Sequence, residues 1–481
     1  MSQPRPHFRT VALIIGAAMF MEQLDGTVLA TALPSMARDL GVTAPNMSIA
    51  LTSYLISLAI FIPASGKIAD RFGNRSVFRI AIVAFTLGSI LCAQSPNLPF
   101  LVIARFLQGI GGAMMMPVGR LVLFRSVEKR NLVSAMSWVL IPALIGPIIG
   151  PPFGGFLVTY LNWRWIFYIN VPIGILGVVL VSLFIEETRG EPPKSFDISG
   201  MVLSSLSLGS LLFGFELISH AGEWRLALSL LALGVIAGLL YLRHAKTVAE
   251  PILDPTLLQV PSFGLSLAGG SITRITQGAQ PFLLPLMFQL GFGFTAMQSG
   301  FLTLAGALGS FAMKAVAPRI LRRHGFRDSM IVGGVISSAG YAVCGFFRPD
   351  WPVAAIFAVL VSCGFFMSFQ FTAYNTIAYD NITPQRLSSA TSFYTTFQQL
   401  MLSVGVCAGA AALQAAMLAH GHDAPQLSDF SSAFFTVTAV SLTAIFWNWR
   451  FAPEAGVEFS GHTPRTWTLR QALNALRGLQ P

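Results

Sequence analysis

Charge is what this sequence has least of. Only 10% of its 481 residues are charged, 20 of them Asp or Glu and 30 Lys or Arg, against about 25% in soluble domains. That shortage excludes a soluble domain of any size. Cysteine is also scarce. Cys92, Cys344, Cys363 and Cys407 all fall in apolar runs, with neither zinc-ligand spacing nor a disulfide framework. Long polar segments are missing as well. The longest candidate loops are 187–197, 244–262 and 419–429, with a tail after 452, and none can hold a catalytic domain. No Walker-type loop is present, and the Gly109–Gly112 pattern lacks the strand–turn–helix setting of a nucleotide site. His420 and His422 have only Asp423 nearby and no cysteine, so neither a metal nor any other cofactor is expected. The first apolar run can span a membrane and shows no small-residue cleavage site, so no cleavable signal peptide is expected.

What is abundant is apolar sequence. The chain is 54% hydrophobic, and a membrane span needs about 20 consecutive apolar residues. About fourteen stretches meet that need, eight between 11 and 243 and six between 263 and 451. The net charge of +10 could suggest a nucleic-acid partner, but its placement argues otherwise. With a cytoplasmic N-terminus, roughly 23 of the 30 Lys and Arg fall on the cytoplasmic side and about four outside. This is the positive-inside pattern. It supports an even number of spans, both termini in the cytoplasm, and the lipid bilayer rather than nucleic acid as the partner.

The sequence repeats itself. Gly66-Lys-Ile-Ala-Asp-Arg-Phe-Gly-Asn-Arg75 follows the second span, and Pro318-Arg-Ile-Leu-Arg-Arg-His-Gly-Phe-Arg327 follows the tenth, with Gly73 aligned to Gly325. Each opens the third helix of a six-helix unit, the pattern of two parallel halves. The expected fold is an all-α polytopic bundle. Residues 1–186 form one half and 260–455 the other. Residues 187–259 hold a linker and two extra spans, and 456–481 form a cytoplasmic tail. The tail carries Arg465, Arg470 and Arg477 among Leu469, Leu473 and Leu476. It reads either as a surface-lying amphipathic helix or as a disordered end.

Charged residues inside spans are costly, about 2.5–3.5 kcal/mol on insertion scales, and tend to face a cavity or a partner. Glu22 and Asp25 in span one are three apart, on neighbouring helix positions. Burial and mutual repulsion would let such a pair hold one proton and exchange it. The alternative for Asp25 is a packing role through hydrogen bonds. Arg105 in span four needs acceptors and could pair with either acid. Arg274 in span nine is a deep basic candidate. Lys314 is expected to snorkel to the surface, and Glu216 to lie at the interface. Asn375 in span twelve and Gln398 and Gln399 in span thirteen belong to polar stripes that can line a substrate pathway or tie helices together; with Gln108, on the close-packing face of span four, they are the candidate substrate contacts. Residues 146–155 read Gly-Pro-Ile-Ile-Gly-Pro-Pro-Phe-Gly-Gly. Their glycines leave a close-packing face, and their prolines remove donors and favour a kink.

These motifs, in this order, resemble the major facilitator superfamily, in its fourteen-span drug:proton antiporter branch (EmrB/QacA type) and within that the MdtD-like multidrug exporters. Gly66 through Arg75 resembles the loop 2–3 motif, with Asp70 and Arg71 at gating positions and Gly73 and Arg75 within it. Arg105 with Gln108-Gly109 resembles the span-four motif tied to proton transfer. Gly146, Gly150-Pro151 and Gly154-Gly155 resemble the antiporter motif of span five. Leu24-Asp25 through Pro34, and Trp163 through Gly174, resemble motifs of spans one and six. Two departures stand out. Glu22 sits where relatives are often neutral, and Arg322 stands where the first half has Asp70, so the two gates differ.

The resemblance implies proton-coupled export of small amphipathic or drug-like molecules by a monomer in the inner (cytoplasmic) membrane. Substrate and protons would be its partners, and the protein would not be an enzyme. The alternative within transport is movement of one metabolite, such as an organic anion or a metal chelate, with Arg274 against the anion. A membrane sensor or scaffold that moves nothing is the alternative from another class.

Overall fold

The computed structural model describes residues 8–127, 132–188, 197–218, 224–383 and 386–462. Most of the 187–197 linker and the tail beyond 462 lie outside the described residues. Within them the chain is helical and has no strand. In order the main helices are α1 (Phe8–Asp39), α2 (Ser48–Phe72), α3 (Asn74–Ala93), α4 (Leu98–Ser126), α5 (Leu132–Tyr160), the short α6 (Trp165–Tyr168) and α7 (Asn170–Phe184). Then come α8 (Ile198–Ile218), α9 (Trp224–Ala245), α10 (Pro261–Leu286), α11 (Ala296–Gly345), α12 (Val353–Ile377), α13 (Leu387–His420) and α14 (Leu427–Trp449). A final turn, α15 (Val457–Ser460), follows.

Twelve helical segments are long and apolar enough to cross a membrane. Polar residues around Arg274 lower the apolarity of α10, but its 26 residues still reach about 39 Å, beyond the ~30 Å bilayer core. α11 has 50 residues, about 75 Å of helix and too long for one crossing. It bends at Gly325, which has φ 70° and ψ 176°. The described crossings thus number fourteen. Gly73, at φ 95° and ψ 140°, makes the matching turn directly between α2 and α3. Only glycine adopts such angles without strain, so both copies of the repeated loop turn on the aligned residue.

α5 runs as one unbroken helix through Pro142, Pro147, Pro151 and Pro152, so the prolines do not interrupt it. Its glycine face seats it on α1. Ideal Cβ atoms at Gly146, Gly150 and Gly154 would lie 3.0 Å from Gln23 Cβ, 2.0 Å from Thr27 Oγ1 and 2.7 Å from Thr31 Oγ1. Three glycines four residues apart thus let α1 lie directly on α5. The belt facing outward is apolar: Ile175, Leu176, Val179 and Leu183 of α7 are all exposed. Such a belt on a soluble protein would be an association patch; around this bundle it suits lipid.

The helices before α8 and those after α9 share one apolar core at one end and have separate cores at the other. At the end far from Gly73 and Gly325 a continuous apolar core runs through Leu33, Met36, Phe167, Phe282, Leu302 and Phe430. There Gln289 Nε2 donates to the Thr31 carbonyl at 3.0 Å, and Met297 N donates to Thr159 Oγ1 at 3.1 Å. Toward the Gly73 and Gly325 end, hereafter the basic end, the cores are separate. Ile15, Phe78 and Val118 form one; Met313, Phe326 and Phe369 form another.

The extra pair α8–α9 packs beside this seam, with Leu208 and Leu212 of α8 against Ile56 of α2 and Leu400 of α13. Glu216, expected at the interface, is packed against protein there and is 1% exposed. It accepts hydrogen bonds from Ser48 Oγ and from Cys407 Sγ at 2.8 Å. Three-dimensional packing, not position near the helix end, decides its burial. After α9 the chain is pinned by Asp254, which accepts from Arg386 Nη2 at 2.7 Å. Burial pushes the Asp254 carboxyl up, but hydrogen bonds from Thr256 and Arg386 outweigh it and hold the group below the usual carboxylate range.

Candidate functional site

The α3–α4 crossing sets the site. Ideal Cβ atoms at Gly109 and Gly112 would strike Ser57 Cβ and Tyr54 Oη of α2 at 2.6 Å each, and one at Gly111 would strike Phe85 N of α3 at 2.5 Å. Small residues therefore seat α4 deep between α2 and α3, which carries Arg105 and Gln108 into the interior.

Arg105 and Asp25 form a buried ion pair. Arg105 Nη1 donates to Asp25 Oδ2 at 2.6 Å, and both side chains are 1% exposed. Gln108 Nε2 donates to Asp25 Oδ1 at 2.8 Å and Asn170 Nδ2 to the same oxygen at 3.0 Å. Gln108 Oε1 in turn accepts from Arg105 Nη1 at 2.6 Å. Ser89 Oγ accepts from Gln108 Nε2 at 2.7 Å and from Asn170 Nδ2 at 3.2 Å. Arg105 Nε donates to the Ala50 carbonyl at 3.2 Å, and its guanidinium lies 4.4 Å from the Tyr54 ring centre. Desolvating two ions costs several kcal/mol each, so a pair of this kind persists only with good geometry and further hydrogen bonds. Those are present.

Glu22 lies one turn nearer the basic end of α1 and is buried at 8% exposure. Its Oε2 has no hydrogen-bond partner, and nor does Tyr54 Oη. Helical spacing sets Glu22 beside Asp25, but Arg105 bonds to Asp25 alone.

The sequence expectations fall into place unevenly. Gln108, expected against substrate, is wholly buried and occupied by the ion pair. Asn170 and Ser89, not singled out from the sequence, complete the network. Asn170 lies within the quoted Trp163–Gly174 motif; nothing marks Ser89 in the sequence. In the loop motif, Asp70 Oδ1 accepts from Arg125 Nη2 at 2.7 Å, and Asn74 Oδ1 accepts from Arg125 Nη1 at 3.0 Å. Arg75 Nη2 donates to the Ser182 carbonyl at 2.5 Å. Asn74 N donates to the Thr188 carbonyl at 3.0 Å. The motif thus ties α2 and α3 to α4 and to the chain after α7. Arg71 faces the Phe72 ring at 5.6 Å, and an added Cβ at Gly66 would meet nothing. Gly155 differs from its neighbours: its ideal Cβ would lie 2.4 Å from the Ala296 carbonyl oxygen, and that of Gly300 2.2 Å from the Pro151 carbonyl oxygen. The span-five motif therefore packs on α1 with one face and on α11 with the other.

Across the bundle, Arg274 is buried at 5% exposure. Its Nη1 donates to Gln277 Oε1 at 2.9 Å, and its guanidinium lies 3.6 Å from the Phe371 ring centre. Asn375 Nδ2 donates to the Phe371 carbonyl at 2.7 Å, and Gln398 Nε2 to Asn375 Oδ1 at 2.5 Å. Gln399, beside Gln398 on α13, is half-buried. Lys314 is exposed. At the far end His420 Nδ1 and His422 Nδ1 lie 2.6 and 2.9 Å from Asp429; Asp429, not the nearby Asp423, is what the fold brings to them.

The family model described as Major Facilitator Superfamily matches residues 15–406, and again 267–480. A protein of Citrobacter koseri described as "Putative multidrug resistance protein MdtD" is 36% identical over 395 residues, 82% of this chain and 83% of that one. Its counterpart in Klebsiella pneumoniae is 37% identical over 398 residues, with the same coverage. Among solved structures, a POT family peptide transporter superposes with TM-score 0.67 at 16% identity, over 92% of this chain and 97% of that one. A D-xylose-proton symporter gives TM-score 0.65 at 16% identity, over 93% and 98%. The chain is thus a membrane transporter rather than an enzyme, and it belongs to the Major Facilitator Superfamily.

Proposed function

We propose that the protein is a proton-coupled exporter, an antiporter of small amphipathic or drug-like molecules. It works as a monomer in the cytoplasmic membrane, with the basic end and both termini in the cytoplasm. Its moving units are taken as 1–186 and 260–455, with 187–259 between them and 456–481 as a tail. Substrate enters between the units from the basic end, where their cores are separate. The carrying observation is the Asp25–Arg105 pair with its Gln108 and Asn170 supports.

In this reading Asp25 exchanges the proton. Once protonated it loses its charge, and Arg105 keeps the Ala50 carbonyl, Gln108 and the Tyr54 and Phe167 rings but no anion. A buried guanidinium so stripped favours a rearrangement of α1 against α4. Glu22, nearer the basic end and with one oxygen unpartnered, passes the proton on. Asp70, Arg125 and Arg75 act on the same motion, locking the basic end of the first unit. Each proton moved down a membrane potential supplies roughly 2.3 kcal/mol per 100 mV, a concentration ratio of about 50. The relatives described as multidrug resistance proteins favour drug-like substrates.

The test is dye efflux from proteoliposomes with an imposed pH gradient, comparing the wild type with Asp25→Asn and Glu22→Gln. Efflux should require the gradient, disappear in Asp25→Asn and slow in Glu22→Gln. Gradient-dependent efflux that survives Asp25→Asn would remove Asp25 from the mechanism.

A further inference from the structure

Among the described residues, Arg105 and Arg274 are the two buried basic side chains. They differ in one respect. Arg105 has Asp25, whereas Arg274 has no carboxylate at ion-pair distance among the described residues. Its protein contacts are the neutral Gln277 and the Phe371 ring face. A guanidinium carries five donors in a rigid fork, so most of its hydrogen-bonding capacity and all of its net charge remain to be met.

Arg274 lines a recess between α10 and α13 with Ser266, Gly270, Ser271, Tyr394 and Gln398. Ser266 Oγ is buried there and has no partner. Gly270 keeps the recess open, since a Cβ on it would come within 3.2 Å of Tyr394 Oη. The wall offers a cation, hydroxyls and an amide, and no acid. What it lacks is a compact group of negative charge with several acceptor oxygens, which the Arg fork binds in bidentate fashion.

We propose that this recess binds the anionic head of the transported molecule, a carboxylate, sulfonate or phosphate. The preferred substrates are then amphipathic anions or zwitterions rather than simple lipophilic cations. This rests on the transporter reading above. It also divides the work between the two buried arginines: Arg105 holds the exchanging acid of the protein, and Arg274 holds the acid of the cargo. The Phe371 ring, its centre 3.6 Å from the guanidinium carbon, attracts and helps hold the cation.

The test uses two permanently charged probes of one ring system, naphthalene-2-sulfonate and a naphthylmethyl-trimethylammonium cation. Binding is measured by calorimetry on the full chain in a neutral detergent, then gradient-driven efflux in vesicles of zwitterionic lipid. The sulfonate should bind and be exported. Arg274→Gln should weaken its binding at least tenfold and leave the cation unchanged. Arg274→Lys should keep part of the affinity, and Ser266→Ala should lose a few-fold. Sulfonate affinity unchanged by Arg274→Gln overturns the proposal, as does a wild type that takes only the cation. Phosphatidylglycerol is titrated in the same detergent. If it binds through Arg274 and the sulfonate does not, the recess is a lipid site and the proposal falls. Asp25→Asn separates the two readings. Sulfonate binding intact with efflux lost supports both. Gradient-driven efflux of the cation alone leaves proton coupling standing and removes the anion site.

Discussion

Arg105 and Asp25 are 80 residues apart in sequence and 2.6 Å apart in space, and neither reaches solvent. Removing one partner of such a pair strands the other charge, at a cost of about 3–5 kcal/mol. Asp25→Asn should therefore lower the thermal unfolding temperature in detergent at least as much as Arg105→Gln, because the stranded Arg105 guanidinium is buried and cannot shed its charge. The double variant Asp25→Asn with Arg105→Gln should regain stability relative to Arg105→Gln while remaining inactive in gradient-driven efflux. Additive losses in the double variant would mean that the two side chains are not energetically coupled.

The far-end closure depends on a glycine. A Cβ at Gly155 would meet the Ala296 carbonyl oxygen at 2.4 Å and Met297 Cα at 2.7 Å, and backbone atoms cannot swing aside as a flexible side chain can. Gly155→Ala should push α5 and α11 apart at that end and raise the population open there. Spin labels at Leu161 and Met297, both exposed, should report a distribution moved to longer distance. An unchanged distribution would show that this contact does not hold the end shut.

How far the site was legible depended on the kind of residue. Asp25 and Arg105 stand out in sequence because a charge in an apolar run is rare. Gly73 and Gly325 stand out because the surrounding loop repeats, and both take positive φ. Gln108 stands out as polar and reads from sequence as a substrate contact. Three residues after Arg105 on one helix, it shares that residue's face, and the ion pair claims it. Asn170 is marked only by lying in the Trp163–Gly174 motif, and Ser89, neutral and small among apolar neighbours, is not marked at all. The burial of Glu216 is not legible for a different reason: its partners Ser48 and Cys407 are 168 and 191 residues away, and no local pattern carries that packing.

Glu216 makes its own prediction. It belongs to the extra helix α8 but accepts from Ser48 of α2 and Cys407 of α13, so it ties both sides of the seam to the extra pair. Glu216→Ala should leave buried donors without their acceptor, about 1–3 kcal/mol each, and loosen the seam. Cys407, 5% exposed, should then react faster with a small maleimide, whereas Glu216→Gln, which still accepts, should react nearly as the wild type does. Equal labelling rates in all three proteins would confine Glu216 to a local packing role.

The Asp70–Arg125 pair separates stability from switching. Both side chains are more than a quarter exposed, at 29% and 28%, and ion pairs of that kind contribute about 0–1 kcal/mol. Asp70→Asn should leave the unfolding temperature almost unchanged. The pair nevertheless joins α2 to α4, and through Asn74 the chain after α7, so it must break or shift if the basic end of this unit rearranges during transport. Asp70→Asn should therefore change the turnover rate several-fold at constant binding affinity. The exchanged pair Asp70→Arg with Arg125→Asp should recover part of the wild-type rate, since Asn74 can then donate to the new carboxylate. A loss of stability that matches the loss of rate, with no rescue by the exchange, would mean that the loop motif is structural and does not gate.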